Sequence, residues 1–436
     1  MSALTKLSYL LICTLLIITS ACNDEDDDYR TYSVKVQLVY PDGFSAAEGV
    51  TVTLEDNTNK AYEAKTDVEG KAVFTVPAGI YKVTATESRS LGATGYVLNG
   101  STGNLNVGES WVDTYINVNM VESKQGSLIV KELYAGGCPD NDGKLYNFDK
   151  YVIVYNNSNV DVSLENIALA MTLPYNSNGT NYDYTDGKLF YEAEGWIPAG
   201  QAIWYFQQKE ILEPGKQMVI ALNKAVDHTS TYTNSINFSN ASYYCTYDPE
   251  VFTHASYYSP PSEVIPTSHY LKAVLYGIGT AWSLSNNSPA FFLFETQGTT
   301  PRTFANDASY TNFYNGSANQ VRKKCPVEWV VDGVEVFRKG ESNNQKRFTS
   351  TVDNGYVELT NSQGYTLYRN VDEEATKAIE GNEGKLVYGY SLGEGTTDPS
   401  GIDAEASIKN GARIIYKDTN NSSADFHQRT RASLRD

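Results

Sequence analysis

The sequence predicts an all-β protein: a small β-sandwich followed by a larger one with long loops. Three observations predict it. Short segments alternate polar and apolar residues, the pattern of a strand with one buried face. The 436 residues include 33 Tyr and 33 Gly, and together with plentiful Thr and Val they favour pleated segments joined by tight turns. Gly, Pro, Asn, Asp and Ser recur at short intervals between those segments, which is turn chemistry.

Residues 1–21 read as a secretory signal. The apolar run from Leu7 to Ile18 falls short of the roughly 20 residues a membrane-spanning helix needs, and Thr19, Ser20 and Ala21 place small residues before Cys22. Residues 22–30 form an acidic tether containing Asp24-Glu25-Asp26-Asp27-Asp28. In this order the pieces resemble a bacterial lipoprotein signal, with Thr19 standing where such signals usually carry Leu. The resemblance implies that Cys22 becomes the acylated first residue of the mature chain and ties it to the membrane through lipid. The acidic run resembles the export signal of Bacteroidetes surface lipoproteins. The expected address is therefore the outer membrane, lipid-anchored and facing the cell exterior.

Residues 31–122 read as the small sandwich. Strands are expected at Ser33–Val39, Gly49–Leu54, Lys71–Val76 and Ile80–Ala85, with turns at Thr66–Gly70 and Pro77-Ala78-Gly79. The runs Gly-Val-Thr-Val-Thr-Leu, Thr-Asp-Val-Glu-Gly-Lys-Ala-Val-Phe and Pro-Ala-Gly-Ile-Tyr-Lys-Val resemble prealbumin-like modules, which include carboxypeptidase regulatory-like domains. That resemblance implies a stalk or spacer.

Residues 123–436 read as the larger domain. Its expected strands include Gly126–Tyr134, Asp149–Tyr155, Val160–Ala170, Ile211–Ala221 and Ala290–Phe294, with Asn156-Asn157-Ser158, Pro214-Gly215 and Asn286-Asn287-Ser288-Pro289 as turns. The arrangement resembles a lamin-tail-type, immunoglobulin-like sandwich. Lys150–Ser158, Pro326–Phe337, Gly364–Arg369 and Asp418–Phe426 further resemble a Bacteroidetes surface-lipoprotein domain family to which no activity is assigned. Members of that family are associated with TonB-dependent uptake systems, so the resemblance implies a TonB-dependent outer-membrane receptor as partner.

Composition narrows the function classes. Lys and Arg number 34 against 52 Asp and Glu, a formal charge of −18, which disfavours nucleic acid as a partner. The sequence contains no Gly-x-Ser-x-Gly elbow, His-Glu-x-x-His pair or phosphate loop, so neither enzyme activity nor a cofactor is expected. Cys138, Cys245 and Cys325 remain after the signal and the lipid site, permitting at most one internal disulfide. Cys138, in a Gly-Gly-Cys-Pro turn, is expected to be the most exposed.

Two sets of side chains are candidates for binding. Tyr182 and Tyr184, Tyr243 and Tyr244, and Tyr257 and Tyr258 place amphipathic rings in polar, loop-like sequence, where they either stack on a ligand or plug the ends of the sandwich. His228, Cys245, His254 and His269 crowd residues 226–270, either as a soft-metal or haem site or as part of a polar excursion between strands. Asp140-Asn141-Asp142-Gly143 supplies hard oxygen ligands for calcium, or simply a turn. The expected function is non-enzymatic binding of a ligand or partner as an accessory to nutrient or metal uptake. Adhesion or an envelope-structural role is the alternative, with a glycan-acting hydrolase third.

Overall fold

The computed structural model describes residues 30–91, 94–124, 127–389 and 398–435. The signal, Cys22 and nearly all of the tether lie outside them. Among the described residues no helix is long and apolar enough to cross a membrane. Two compact units divide the chain. The smaller runs up to Leu38 and adds Ala46–Val83 and Thr102–Val118; the larger takes residues 39–45, 84–101 and everything from Asn119 onward.

In the smaller unit the strand Thr31–Val39 pairs antiparallel with Lys71–Pro77, Thr31 opposite Pro77, and Thr51–Asp56 pairs with Ala61–Lys65. The predicted alternation is realised: Val34, Val36, Leu38, Val52, Leu54, Phe74 and Val76 are buried, with their neighbours turned outward. The Thr66–Gly70 turn closes because the Asp67 carboxylate accepts the N–H groups of Glu69 and Lys71 at 2.9 Å each. Trp111 is half-buried, its indole N–H donating to the Ser33 carbonyl at 2.9 Å.

The larger unit is built on twelve strands, labelled β1 Leu128–Tyr134, β2 Tyr151–Asn156, β3 Ile167–Met171, β4 Ala202–Tyr205, β5 Gln217–Ala221, β6 Tyr244–Thr246, β7 Tyr270–Leu275, β8 Ala290–Glu295, β9 Val330–Arg338, β10 Val357–Leu359, β11 Thr366–Arg369 and β12 Phe426–Arg429. Their hydrogen-bonded order is β10-β9-β8-β3-β4-β7-β6-β5-β2-β1-β11-β12. Pairing is parallel at β5-β6, β6-β7 and β9-β10. The path curls until β9 lies beside β1, where the Val130 N–H donates to Asp332 at 2.6 Å. Nearly all-β, with large sandwich-like sheets and only short helices, the structure matches the predicted class.

The strands of this sheet are packed on both faces. Leu128, Val130, Val152, Val154, Trp204, Ile220, Phe291, Leu293 and Val334 meet in the interior. The opposite faces are covered by other segments. Trp196–Gly200, Val321–Pro326 and the helix α1 Pro301–Asn306 supply residues that pack on Ala168, Ile203 and Phe292. Ile236, Phe238 and Ile265 pack on Tyr151 and Ile153, while Val371, Ile402 and Ile414 pack on Ile129 and Tyr155. Double burial explains why β1 and β2 are almost continuously apolar rather than alternating. Trp329 sits in the cluster with Phe292 and Phe304.

Charge is buried with this core. Arg347 pairs with Glu335 at 2.6 Å, both fully enclosed, and Arg369 pairs with Asp332 across the β9/β11 seam. Lys131 lies where the register between β1 and β2 shifts; its ammonium meets Glu405 at 2.6 Å and Gln217 at 2.6 Å. A bulge turns one side chain out of the normal alternation, which here directs a lysine toward a carboxylate.

Candidate functional site

The excursion 226–270 alternates exposed turns with buried residues. Its segment Tyr244–Thr246 is β6, a central strand between β5 and β7 rather than a loop. Tyr244 is buried and lies against the His269 ring, 4.0 Å between centroids and 12° between planes. Tyr258 is buried too, donating its hydroxyl to the Trp282 carbonyl at 2.5 Å. Tyr243 and Tyr257 are half-buried; Tyr243 accepts a hydrogen bond from His269 through its carbonyl at 3.0 Å, and the Tyr257 ring packs on Phe148. Four of the six candidate tyrosines therefore serve packing.

The structure does not bring the four metal candidates together. Both ring nitrogens of His228 are committed: Nε2 donates to the Lys224 carbonyl at 2.7 Å and Nδ1 accepts from the Tyr146 hydroxyl at 2.6 Å. Burial holds that imidazole neutral, pushing its pKa down to about 4. Cys245 is enclosed in β6 and burial raises its thiol pKa. His254 is exposed and His269 is turned to Tyr243. Among the described residues no group of three or more His, Cys, Asp and Glu side chains is placed to hold a metal ion.

Cys138 is a correction to the sequence reading. It is fully buried, and Cys138, Cys245 and Cys325 are all free thiols. The Gly-Gly-Cys-Pro turn folds inward because Gly137 adopts φ +71°, where a Cβ would stand 2.3 Å from the Tyr146 carbonyl. The thiol then donates to Asp149 at 3.3 Å, and burial pushes its pKa up to about 12. The Asp140–Gly143 run is a turn, its first carboxylate accepting N–H groups from Asp142 at 2.9 Å and Lys144 at 2.8 Å.

Tyr182 stands apart from the other five. It is 58% exposed, in a loop that faces a second, amide-rich loop. Gln345 donates its N–H to the Ser177 carbonyl at 2.8 Å, Asn343 donates its amide to the Asn178 carbonyl at 2.9 Å, and Asn181 donates its N–H to the Gln345 side-chain oxygen at 3.2 Å. Between the loops lies an open cleft of about 450 Å³, lined by Asn178, Gly179, Thr180, Ser342, Asn343, Asn344 and Gln345. None of these lining side chains is ionisable.

The base of this cleft is anchored from below. Asp183 takes both terminal nitrogens of Arg322 at 2.6 and 2.7 Å, with each side chain at most 2% exposed. Arg347 donates to the Pro174 carbonyl at 3.2 Å and the Ser288 carbonyl at 2.8 Å while paired with Glu335. Tyr314 donates its hydroxyl to the Thr180 carbonyl at 2.8 Å and packs edge-on against Tyr182, 5.9 Å between centroids. Tyr184, half-buried, donates to the Lys346 carbonyl at 3.3 Å. Bidentate arginine–carboxylate geometry fixes orientation as well as distance, so both loops are held in place. Sequence reasoning missed the amides; their signal is the pair of runs Asn176-Ser177-Asn178-Gly179-Thr180 and Ser342-Asn343-Asn344-Gln345.

Comparison with known proteins gives a class before it gives a function. Residues 213–388 match the model of a family described as a protein of unknown function, DUF4876. The structure is similar to the crystal structure of a DUF4876 family protein from Bacteroides thetaiotaomicron, with TM-score 0.53 and 21% identity over 91% of this chain and 94% of that one. At that identity the likeness establishes a shared fold, and with the family match it supports the expected Bacteroidetes family without an assigned activity. A DUF3823 family protein from Parabacteroides merdae matches 33% of this chain and 67% of its own, at 12% identity and TM-score 0.16. No curated protein matches the chain.

Proposed function

We propose that this chain is a lipid-anchored protein of the outer-membrane surface that binds a ligand without transforming it, as an accessory to a TonB-dependent uptake system. The observation that carries the reading is the cleft between residues 178–180 and 342–345: an uncharged, hydrogen-bonding hollow whose loops are clamped by buried ion pairs, with the exposed Tyr182 two residues beyond its lining. Pre-organised loops lose little freedom on binding, which favours recognition. Support for a non-catalytic role comes from the buried carboxylates: Asp183, Asp332 and Glu335 are each engaged by an arginine. Asp149 is enclosed among Tyr134, Cys138 and Ser235.

Address and partner rest on the sequence. The signal, Cys22 and the acidic run support surface display through lipid, and the resemblance to TonB-associated lipoproteins supports the receptor. In this reading the smaller unit is a prealbumin-like spacer and the larger a lamin-tail-like platform for the cleft. A mild-detergent pull-down of the tagged protein from outer membranes, read by mass spectrometry, tests the assignment. A stoichiometric TonB-dependent barrel is the expected companion. Recovery of the chain alone, retaining affinity for host matrix, would replace uptake with adhesion. Protease added to intact cells should remove the protein; survival until lysis would place it inside.

A further inference from the structure

We infer that the Tyr182 cleft takes a neutral, hydroxyl-rich glycan. The inference rests on the preceding reading of the cleft as the binding site and adds the chemistry of what binds there.

The lining is neutral, and nearby charge is committed elsewhere. Asp183 and Arg322 pair beneath the cleft, as do Glu335 and Arg347. Lys346 turns its ammonium to the Gly355 carbonyl, and Arg338 pairs with Glu341 at 3.5 Å. A phosphate, sulfate or carboxylate ligand would lose water there and gain no cation in return. The lining is also too polar for an apolar ligand, which would strand its amides without partners.

Free hydrogen-bonding groups remain, and they are oriented. The Asn343 amide donates to the Asn178 carbonyl, leaving Oδ1 as an acceptor. Gln345 accepts the Asn181 N–H, leaving Nε2 as a donor. Because each partner has a fixed backbone role, the O and N ends of both amides follow from the bonding itself. Neither of those two atoms has a hydrogen bond among the described residues, nor do the Asn178 side chain and the Ser342 hydroxyl. A sugar hydroxyl both donates and accepts, so an array of fixed donors and acceptors complements adjacent hydroxyls without any charge. Tyr182 lies two residues beyond Thr180, outside the lining itself, with its ring edge-on to Tyr314 and 58% exposed; an exposed aromatic face suits the C–H side of a pyranose that extends past the cleft.

Affinity electrophoresis of the full mature chain tests the inference, using gels that contain glucan, mannan, xylan or galactan, with pectin and heparin as acidic comparators. Retardation by at least one neutral polysaccharide is expected. Tyr182→Ala should abolish it, and Gln345→Glu should weaken it at least tenfold in calorimetry with the matching oligosaccharide. Gln345→Glu keeps an acceptor for the Asn181 N–H and turns the Nε2 donor into a charged acceptor oxygen; Gln345 is half-buried and Tyr182 exposed, so a folded variant is confirmed by its melting temperature before binding is read. Retardation by acidic polymers alone, lost in Tyr182→Ala, would overturn the neutral class and leave the cleft in place. Neutral-glycan binding that survives both variants would overturn the cleft. No retardation by any neutral glycan overturns the inference.

Discussion

Removing the carboxylate of Asp183 tests how firmly the cleft is anchored. Arg322 and Asp183 are 1% and 2% exposed and meet through two short, parallel hydrogen bonds, so solvent screens the pair little. In Asp183→Ala the guanidinium stays enclosed between the rings of Phe190, Trp196 and Tyr314, keeping only its Nε bond to Asn312 at 2.8 Å. Stranding one partner of a buried pair costs about 3–5 kcal/mol, a large fraction of the roughly 5–15 kcal/mol that holds a folded domain together. Urea unfolding followed by tryptophan fluorescence should show the midpoint drop, since Trp196 lies 5.8 Å from the guanidinium. Arg322→Met combined with Asp183→Leu removes both charges and should recover much of the loss. A cost below about 1 kcal/mol, the level of a solvent-screened surface pair, would refute the claim that this ion pair carries the loop.

Three further outcomes are expected. His228 and His427 are held neutral by burial, with pKa values lowered to about 4 and about 3; the unfolded chain takes up their protons first, so stability is full above about pH 6.5 and falls as pH drops toward those values. Urea midpoints measured across that range should show this slope, flattened in the His228→Gln, His427→Gln double variant. With Cys22 replaced by serine, a thiol reagent should leave Cys138, Cys245 and Cys325 untouched in the folded protein and label all three after unfolding; rapid labelling of native Cys138 would contradict its burial. Gly137→Ala forces a side chain into a left-handed backbone against the Tyr146 carbonyl, so calorimetry should show a loss of at least about 1–3 kcal/mol.

The strands were legible because their residues are. Ser127–Tyr134, Lys150–Tyr155 and Ala290–Phe294 carry the β-rich apolar runs that became β1, β2 and β8. Less legible was what lies on the second face of the sheet: an apolar run is compatible with one or two buried faces, and only long-range packing decides. The tyrosine motifs show the same limit. Tyr182-Asp183-Tyr184 and Tyr243-Tyr244-Cys245 look alike in polarity, yet Asp183 is drawn inward by Arg322, leaving Tyr182 outside, whereas Tyr244 is drawn between β5 and β7. Cys138 was misread because a glycine-rich turn usually marks the surface. Here positive φ at Gly137 points the next residue in. The amide lining of the cleft was written in two asparagine-rich turns 166 positions apart, Asn178 and Asn344 among them, and nothing local announces that such turns will face each other.

The short strand β6 has a consequence for anyone who would engineer this chain. By polarity its neighbourhood looks like the natural place for an epitope tag, a fluorophore or a circular break. Yet Tyr244–Thr246 forms the splice between the six strands from β10 to β7 and the five from β5 to β12. Cutting there would break the hydrogen-bonded path at its middle and leave the β9–β1 contact to hold the two halves together. The acceptable attachment points are the turns whose backbone closes on itself, such as Asp140–Gly143, so polarity alone is a poor guide to where this molecule will accept cargo.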